Sequence, residues 1–184
     1  MRVGIAGYGV VGKTRHRSIV ANTSYQVTAI SESSEDTRKS IPADSIVFND
    51  YKSLIANAEI DIIFISLPNQ FAAEATSLSL KKGLHVFCEK PPARTYHELL
   101  AVQNEALKFP ELKLMYGFNH RFHLSVEEAK SIIQGNALGQ IINMKGVYGK
   151  SQMISFNQTD WRTNREASGG GILLDQGIHM LDLM

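Results

Sequence analysis

The spacing Gly7-Tyr-Gly9-Val-Val-Gly12 constrains this chain more than any other feature. It follows a β-compatible run, Arg2 to Ala6, and opens a segment from Val10 to about Ala21 that reads as a helix. In that setting Gly7 permits a tight turn, Gly9 lets a pyrophosphate approach the backbone, and Gly12 lets helix and strand pack closely. An anion held by the Tyr8, Val10 and Val11 backbone would lie on the positive end of the helix. The arrangement also asks for a carboxylate about 20 residues further on, at the end of the second strand. Glu32 stands there. It would accept hydrogen bonds from the adenosine ribose hydroxyls and repel a 2′-phosphate, favouring NAD. Arg38 nearby softens that repulsion and leaves NADP possible. His16, one turn beyond Gly12, reads as packing or helix surface.

The first two thirds of the chain alternate strands with helices. Tyr25 to Ile30 and Ile46 to Phe48 read as strands, separated by a short helix that Ser33 or Ser34 caps and Pro42 forbids from continuing. Asp61 to Ile65 is the most apolar run and suits a central strand buried on both faces. Phe71 to Lys82 is amphipathic and ends in Lys81-Lys82-Gly83, cations and then glycine, as a helix end requires. Leu84 to Phe87 and Leu112 to Tyr116 are further strands, with a capping box Thr95-x-x-Glu98 opening the helix between them. Strands separated by helices of this length predict a doubly wound parallel sheet, an α/β fold, over residues 1–118. The grammar changes at Asn119. Ser125-x-x-Glu128 predicts a helix ending by Gly135, Gln140 to Tyr148 alternates like a long strand, and an irregular stretch leads to Gly169-Gly170-Gly171. Residues 172–184 have helical apolar spacing. Residues 119–184 are thus expected to begin a second, incomplete α+β domain.

Composition excludes several classes. The 184 residues carry 19 Lys and Arg against 18 Asp and Glu, so the chain lacks the basic excess that binding a nucleic-acid backbone needs. Its single cysteine, Cys88, allows no intrachain disulfide and no four-cysteine zinc site, and a cytoplasmic, reducing setting is the expectation. No apolar stretch approaches the ~20 residues of a spanning helix, so no membrane partner is expected.

Two groups of residues carry chemistry. Cys88-Glu89-Lys90-Pro91-Pro92 follows an apolar strand, and in a parallel sheet the carboxyl ends of strands line the ligand crevice. Two prolines fix the turn that holds Lys90 at the rim. An ammonium there can stabilise a developing alkoxide or share a proton; otherwise it is a solvated surface lysine. Asp175 and His179 stand four apart on a predicted helix and share a face. Carboxylate plus imidazole suits a base and its orienting partner. The pair could instead be a helix cap and an ordinary histidine. It could also ligate a metal, but no third ligand is apparent, and none is expected.

Together these motifs resemble the Gfo/Idh/MocA family, named for glucose–fructose oxidoreductase, inositol dehydrogenase and a rhizopine catabolism protein. The matching pieces are Gly7-x-Gly9-x-x-Gly12, Pro68-Asn69, Glu89-Lys90-Pro91, Asn119-x-Arg121 and Asp175-x-Gly177-x-His179, in the family's order. The glycine element is generic; the pairing of Glu-Lys-Pro with Asp-x-Gly-x-His is specific. The resemblance implies catalytic roles for Lys90, Asp175 and His179. Leu67, Pro68, Asn69, Glu89 and Lys90 would join the glycine turn and Glu32 around NAD. The family often has a histidine where Ala72 stands here.

The expected reaction is reversible hydride transfer between NAD(P) and a carbinol carbon of a sugar, cyclic polyol or nucleotide-sugar. His179 would take the hydroxyl proton, Lys90 would stabilise the alkoxide, and Asp175 would orient the imidazole and tune its charge. Lys90, Asn119, Arg121, Tyr148, Trp161, Arg162, Asp175 and His179 are the candidate substrate contacts, with simple core filling open for Trp161. Arginines pair with carboxylates or phosphates, which points towards an acidic or nucleotide-linked sugar. Alternatives on the same fold are a non-catalytic dinucleotide sensor or scaffold and an inactive fragment. Family members usually continue well beyond this length and associate through the remaining sheet, so a fragment of a longer, homo-oligomeric enzyme is expected.

Overall fold

The computed structural model describes residues 1–149 and 161–184. Six parallel strands form one sheet: β1 (Arg2–Ala6), β2 (Gln26–Ser31), β3 (Ile46–Phe48), β4 (Ile62–Ile65), β5 (His85–Cys88) and β6 (Leu114–Tyr116), in the order β3-β2-β1-β4-β5-β6. This is the doubly wound order that reverses between β1 and β4 and opens a crevice at the strands' carboxyl ends. Helices α1 (Val10–Val20) and α2 (Glu35–Arg38) belong to the first half, and α3 (Tyr51–Asn57), α4 (Asn69–Lys81) and α5 (Tyr96–Ala106) to the connections that follow.

The larger core lies under α3, α4 and α5, where Leu54, Ile63, Ile65, Leu80 and Val86 are buried among the alanines of α4. A smaller core of Val3, Ile5, Tyr8, Ile19, Val27 and Ile30 lies under α1. The expectation that β4 is buried on both faces holds for one of them. Ile63 and Ile65 are shut away, but Ile62 and Phe64 are only half-buried, because they face the smaller core under α1. Phe64 stacks on Phe87 at 5.0 Å there, and the Arg15 guanidinium covers Phe87 at 4.9 Å.

Local signals explain most boundaries. Ser34 caps α2 by accepting the Thr37 N–H, and Thr95 caps α5 by accepting the Glu98 N–H. The expected capping box at α5 is half made: the Glu98 carboxylate reaches one residue further back, to the Arg94 N–H at 2.8 Å and the Arg94 guanidinium. Helix α3 was not foreseen. Its signal is Asp50, whose carboxylate accepts the Ser53 N–H, followed by Tyr51, Leu54, Ile55 and Ala58 on one face.

Beyond β6 the chain makes a 3₁₀ turn (Asn119–Phe122) and helix α6 (Leu124–Gln134). α6 starts one residue before Ser125, so that serine lies inside the first turn and caps nothing. The long strand expected from Gln140 to Tyr148 does not form. Among the described residues every ladder belongs to β1–β6, and an alternating segment with no neighbour to pair with has no partner for its backbone. The irregular stretch expected before Ser168 falls partly outside the described residues.

The chain then returns through a turn at Trp161–Thr163, helix α7 (Arg165–Ser168), a π-helical turn (Leu173–Gly177) and helix α8 (Ile178–Leu183). Asn69 Nδ2 donates to the Ser168 carbonyl (2.8 Å), Arg94 to that of Glu166 (2.5 Å), and Lys90 Nζ to that of Asp175 (2.6 Å). Among the described residues no helix is long and apolar enough to cross a membrane.

Candidate active site

The glycine turn sits at the carboxyl end of β1. Gly7 has φ of +89°, and its N–H donates to the Ser31 carbonyl at 2.9 Å. A Cβ on Gly12 would lie 2.0 Å from the Gly7 carbonyl oxygen, so helix and turn meet backbone to backbone. A Cβ on Gly9 would meet no protein atom within 4 Å, and Val10 beside it is 85% exposed at the start of α1. That open flank at a helix N-terminus fits a phosphate group. Tyr8 folds beneath the turn, its hydroxyl hydrogen-bonded to His16 Nδ1 at 2.7 Å. His16 therefore does more than pack: it anchors the turn from α1, and burial lowers its pKa.

Glu32 closes the far side. Its carboxylate accepts the N–H groups of Tyr8 (2.8 Å) and Ser34 (2.9 Å), which fixes it beside the turn at the end of β2. Arg38 donates to the carbonyls of Glu32 and Ser33, both at 2.8 Å, and so is tied to the backbone behind the carboxylate. These residues fit the adenosine half of a dinucleotide. After β4, Leu67 is half-buried, Pro68 starts α4, and Asn69 is buried with its amide on the returning segment.

At the end of β5 the Cys88 thiol is buried, and its pKa is pushed up to about 12, which makes it inert. The Glu89 carboxylate accepts Arg15 Nε (2.6 Å) and Nη2 (2.5 Å) and packs against Gly117. Lys90 follows, and the Lys90–Pro91 peptide is cis. Its Nζ also donates to Asp175 Oδ1 at 3.0 Å. Burial alone would raise the Asp175 carboxyl; Lys90, with help from Gln176 and Arg162, holds it below the usual range.

His179, 4% exposed, is the second residue of α8. Its ring stacks on His120 (4.0 Å between centroids, 15° between planes), with Tyr148 at 6.0 Å and the Phe118 ring edge-on at 6.3 Å. Nδ1 is buried without a hydrogen-bond partner among the described residues. Burial first, then His120 and Lys90, push the imidazole pKa down to about 4, against the opposing pull of Asp182 and Asp175. Asp175 acts on the imidazole through its charge, favouring the protonated ring, and makes no hydrogen bond to it. The carboxylate is engaged by Lys90 and Gln176, and ring stacking sets the imidazole's orientation.

This depressed pKa has a consequence for stability. The unfolded chain binds a proton at His179 near the ordinary ~6.5, whereas the folded ring resists protonation until about 4. The stability it contributes is present above pH ~6.5 and is lost as pH falls through that window. Melting temperatures followed by circular dichroism should drop between pH 7 and 4, and less steeply in His179→Phe.

Of the other candidates, Arg121 is exposed and ion-paired: its Nε donates to Asp182 Oδ2 at 2.8 Å, and its guanidinium lies over Phe118. Asn119 is exposed on the same turn, and the Arg162 guanidinium stacks on Trp161 at 4.6 Å. Sequence reasoning missed Arg15, His120, His123 and Asp182. His120 lay in plain view inside Asn119-His-Arg121, but only its contact with His179 marks it.

Known proteins resemble this chain in both sequence and fold. Residues 1–118 match a family described as oxidoreductase family, NAD-binding Rossmann fold, and residues 126–184 match the GFO/IDH/MocA C-terminal domain. The chain is 30% identical to D-glucoside 3-dehydrogenase of Escherichia coli (strain K12), covering 99% of this chain and 52% of that protein. It is 32% identical to levoglucosan dehydrogenase of Pseudarthrobacter phenanthrenivorans, covering 73% and 35% respectively. The fold matches that of scyllo-inositol dehydrogenase from Lactobacillus casei, solved with NAD(H) and scyllo-inositol, with a TM-score of 0.70 at 26% identity over 76% of this chain and 42% of that one. The chain thus spans about half or less of the length of these relatives.

Proposed function

This chain belongs to the Gfo/Idh/MocA oxidoreductase family with its NAD-binding Rossmann fold, and on that premise we propose that it serves hydride transfer between NAD and a hydroxyl-bearing carbon of a sugar or cyclic polyol. The observation that carries this reading is that Lys90, just beyond the end of β5, hydrogen-bonds Asp175, 85 positions further along the chain, with His179 close enough for the charges of both to act on it.

A bound NAD supplies the hydride acceptor. The rest falls to side chains. His179, neutral at physiological pH, accepts the proton of the substrate hydroxyl. The Lys90 ammonium stabilises the negative charge that develops on that oxygen. Asp175 holds the ammonium from two sides, through its carboxylate and its own carbonyl, so the cation stays aimed where the charge appears. Glu32 favours free ribose hydroxyls over a 2′-phosphate. Asn119, Tyr148, Trp161 and Arg162 are the proposed substrate contacts, and Arg121, tied to Asp182, positions α8. A cytoplasmic setting and self-association of the full-length enzyme belong to the same reading.

The test is reduction of NAD followed at 340 nm with a panel of glycosides, free sugars and inositols, each also run with NADP. Turnover with at least one polyol, faster with NAD, is the expected result. A chain that binds NAD and oxidises none of them would be a non-catalytic sensor or scaffold, or an inactive fragment, rather than a working enzyme.

A further inference from the structure

The phosphate-binding end of the crevice and its reacting end are carried by different elements. The glycine turn opens α1, whereas Lys90 follows β5, and β4 lies between β1 and β5 in the sheet. One ion pair spans that gap. Arg15, in the second turn of α1, donates to Glu89 Oε1 through both Nε (2.6 Å) and Nη2 (2.5 Å). Side chains alternate along a strand, so Phe87 and Glu89 both present themselves to α1. The guanidinium lies over the Phe87 ring at 4.9 Å while it grips the carboxylate.

The carboxylate is closed in from its other side as well. A Cβ on Gly117, just beyond β6, would lie 2.7 Å from Oε2, so bare backbone presses against it. The main chain here is already held by the sheet: the Glu89 N–H donates to the Ile65 carbonyl at 2.9 Å, and the Gly117 N–H to that of Cys88 at 2.8 Å. The two charged side chains are 26% and 17% exposed, so little water stands ready to replace a lost partner. The residue that follows Glu89 is the lysine whose Nζ reaches Asp175.

We propose that Arg15 and Glu89 are positioning residues, a clamp that ties the turn carrying Lys90 to the helix at whose start the cofactor's phosphates would lie. The proposal rests on the hydride-transfer reading for its chemistry. A dinucleotide anchored at the start of α1 must meet a substrate held beside Lys90, and a misplacement of about 1 Å can cost a hundredfold in rate. The clamp fixes that spacing from the β5 side. Glu89 thereby serves the cofactor through Arg15 and α1.

Arg15→Gln and Glu89→Gln each break the pair. In steady-state turnover each should lower kcat about tenfold, with KM for NAD and for the polyol within about twofold of wild type. The double variant should fall no further than either single one. Additive losses mean that the two residues act separately and overturn the clamp. A raised KM with unchanged kcat assigns them to binding and overturns it too. A second measurement needs no turnover. Lys90, 18% exposed and held by Asp175, should be acetylated slowly by acetic anhydride when followed by peptide mass spectrometry. In both single variants its labelling should quicken several-fold, while exposed Lys113 keeps its wild-type rate. Unchanged labelling of Lys90 overturns the clamp. If the wild-type chain oxidises no polyol, the hydride-transfer reading fails, and the labelling alone decides whether Arg15 and Glu89 hold Lys90.

Discussion

Lys90→Ala is expected to lower kcat by about three orders of magnitude and to leave NAD affinity within a few-fold of wild type. Two losses combine. The ammonium that would meet the developing alkoxide is gone, and the Asp175 carboxylate, held at 3.0 Å by Lys90 and half-buried, loses its main cationic partner. An unpaired carboxylate beside the reacting oxygen opposes the charge that must form there. Turnover assays paired with calorimetric NAD titration separate the two effects. Lys90→Arg should recover little, because a guanidinium is a planar fork where a compact cation is held between a carboxylate and a carbonyl. Wild-type turnover in Lys90→Ala would remove this residue from the chemistry.

The second large effect lies at the other end of the crevice. Gly12→Ala places a methyl 2.0 Å from the Gly7 carbonyl oxygen and 3.0 Å from its carbon. Both are backbone atoms of a turn held in a left-handed conformation and tied to Ser31, so α1 must move away from β1. Overpacking of this kind costs about 1–3 kcal/mol, and the displaced turn should lose NAD affinity by a hundredfold or more. Gly9→Ala is the control. Its Cβ meets nothing in the protein, so the melting temperature should hold while NAD affinity falls. If both variants bind NAD like wild type, the turn is not the phosphate site.

The sheet was legible because its strands are short apolar runs punctuated by helix stops and glycines, and parallel pairing follows from the lengths between them. Where the reading failed, the deciding interaction lay elsewhere in the chain. Gln140 to Tyr148 has the alternation of a strand, but a strand is made by its neighbour, and alternation cannot show that a neighbour is present. Ser125 has the identity of a cap, but α6 begins at Leu124, ahead of it. The helix after Asp50 was readable from its cap and its Tyr51-Leu54-Ile55 face, and its short length between two strands hid it. In the site, Lys90, Asp175 and His179 could be singled out by residue type and spacing. Their mutual geometry could not: Asp175 grips the lysine instead of the imidazole, and the partner of His179 is another histidine from a distant turn.

The returning segment is fastened to the sheet domain by three donors, Asn69, Lys90 and Arg94, each of which grasps a main-chain oxygen, at 168, 175 and 166 respectively. At 166 and 168 such a clasp is blind to the side chain carried at its far end; at 175 the carboxylate is gripped as well. Glu166 could be exchanged for almost any residue that keeps its helix, and the hold would persist, whereas a change at 69 or 94 would undo it. Lineages built this way are free to redraw the outer wall of the crevice, and with it the molecules admitted, without renegotiating how that wall is attached.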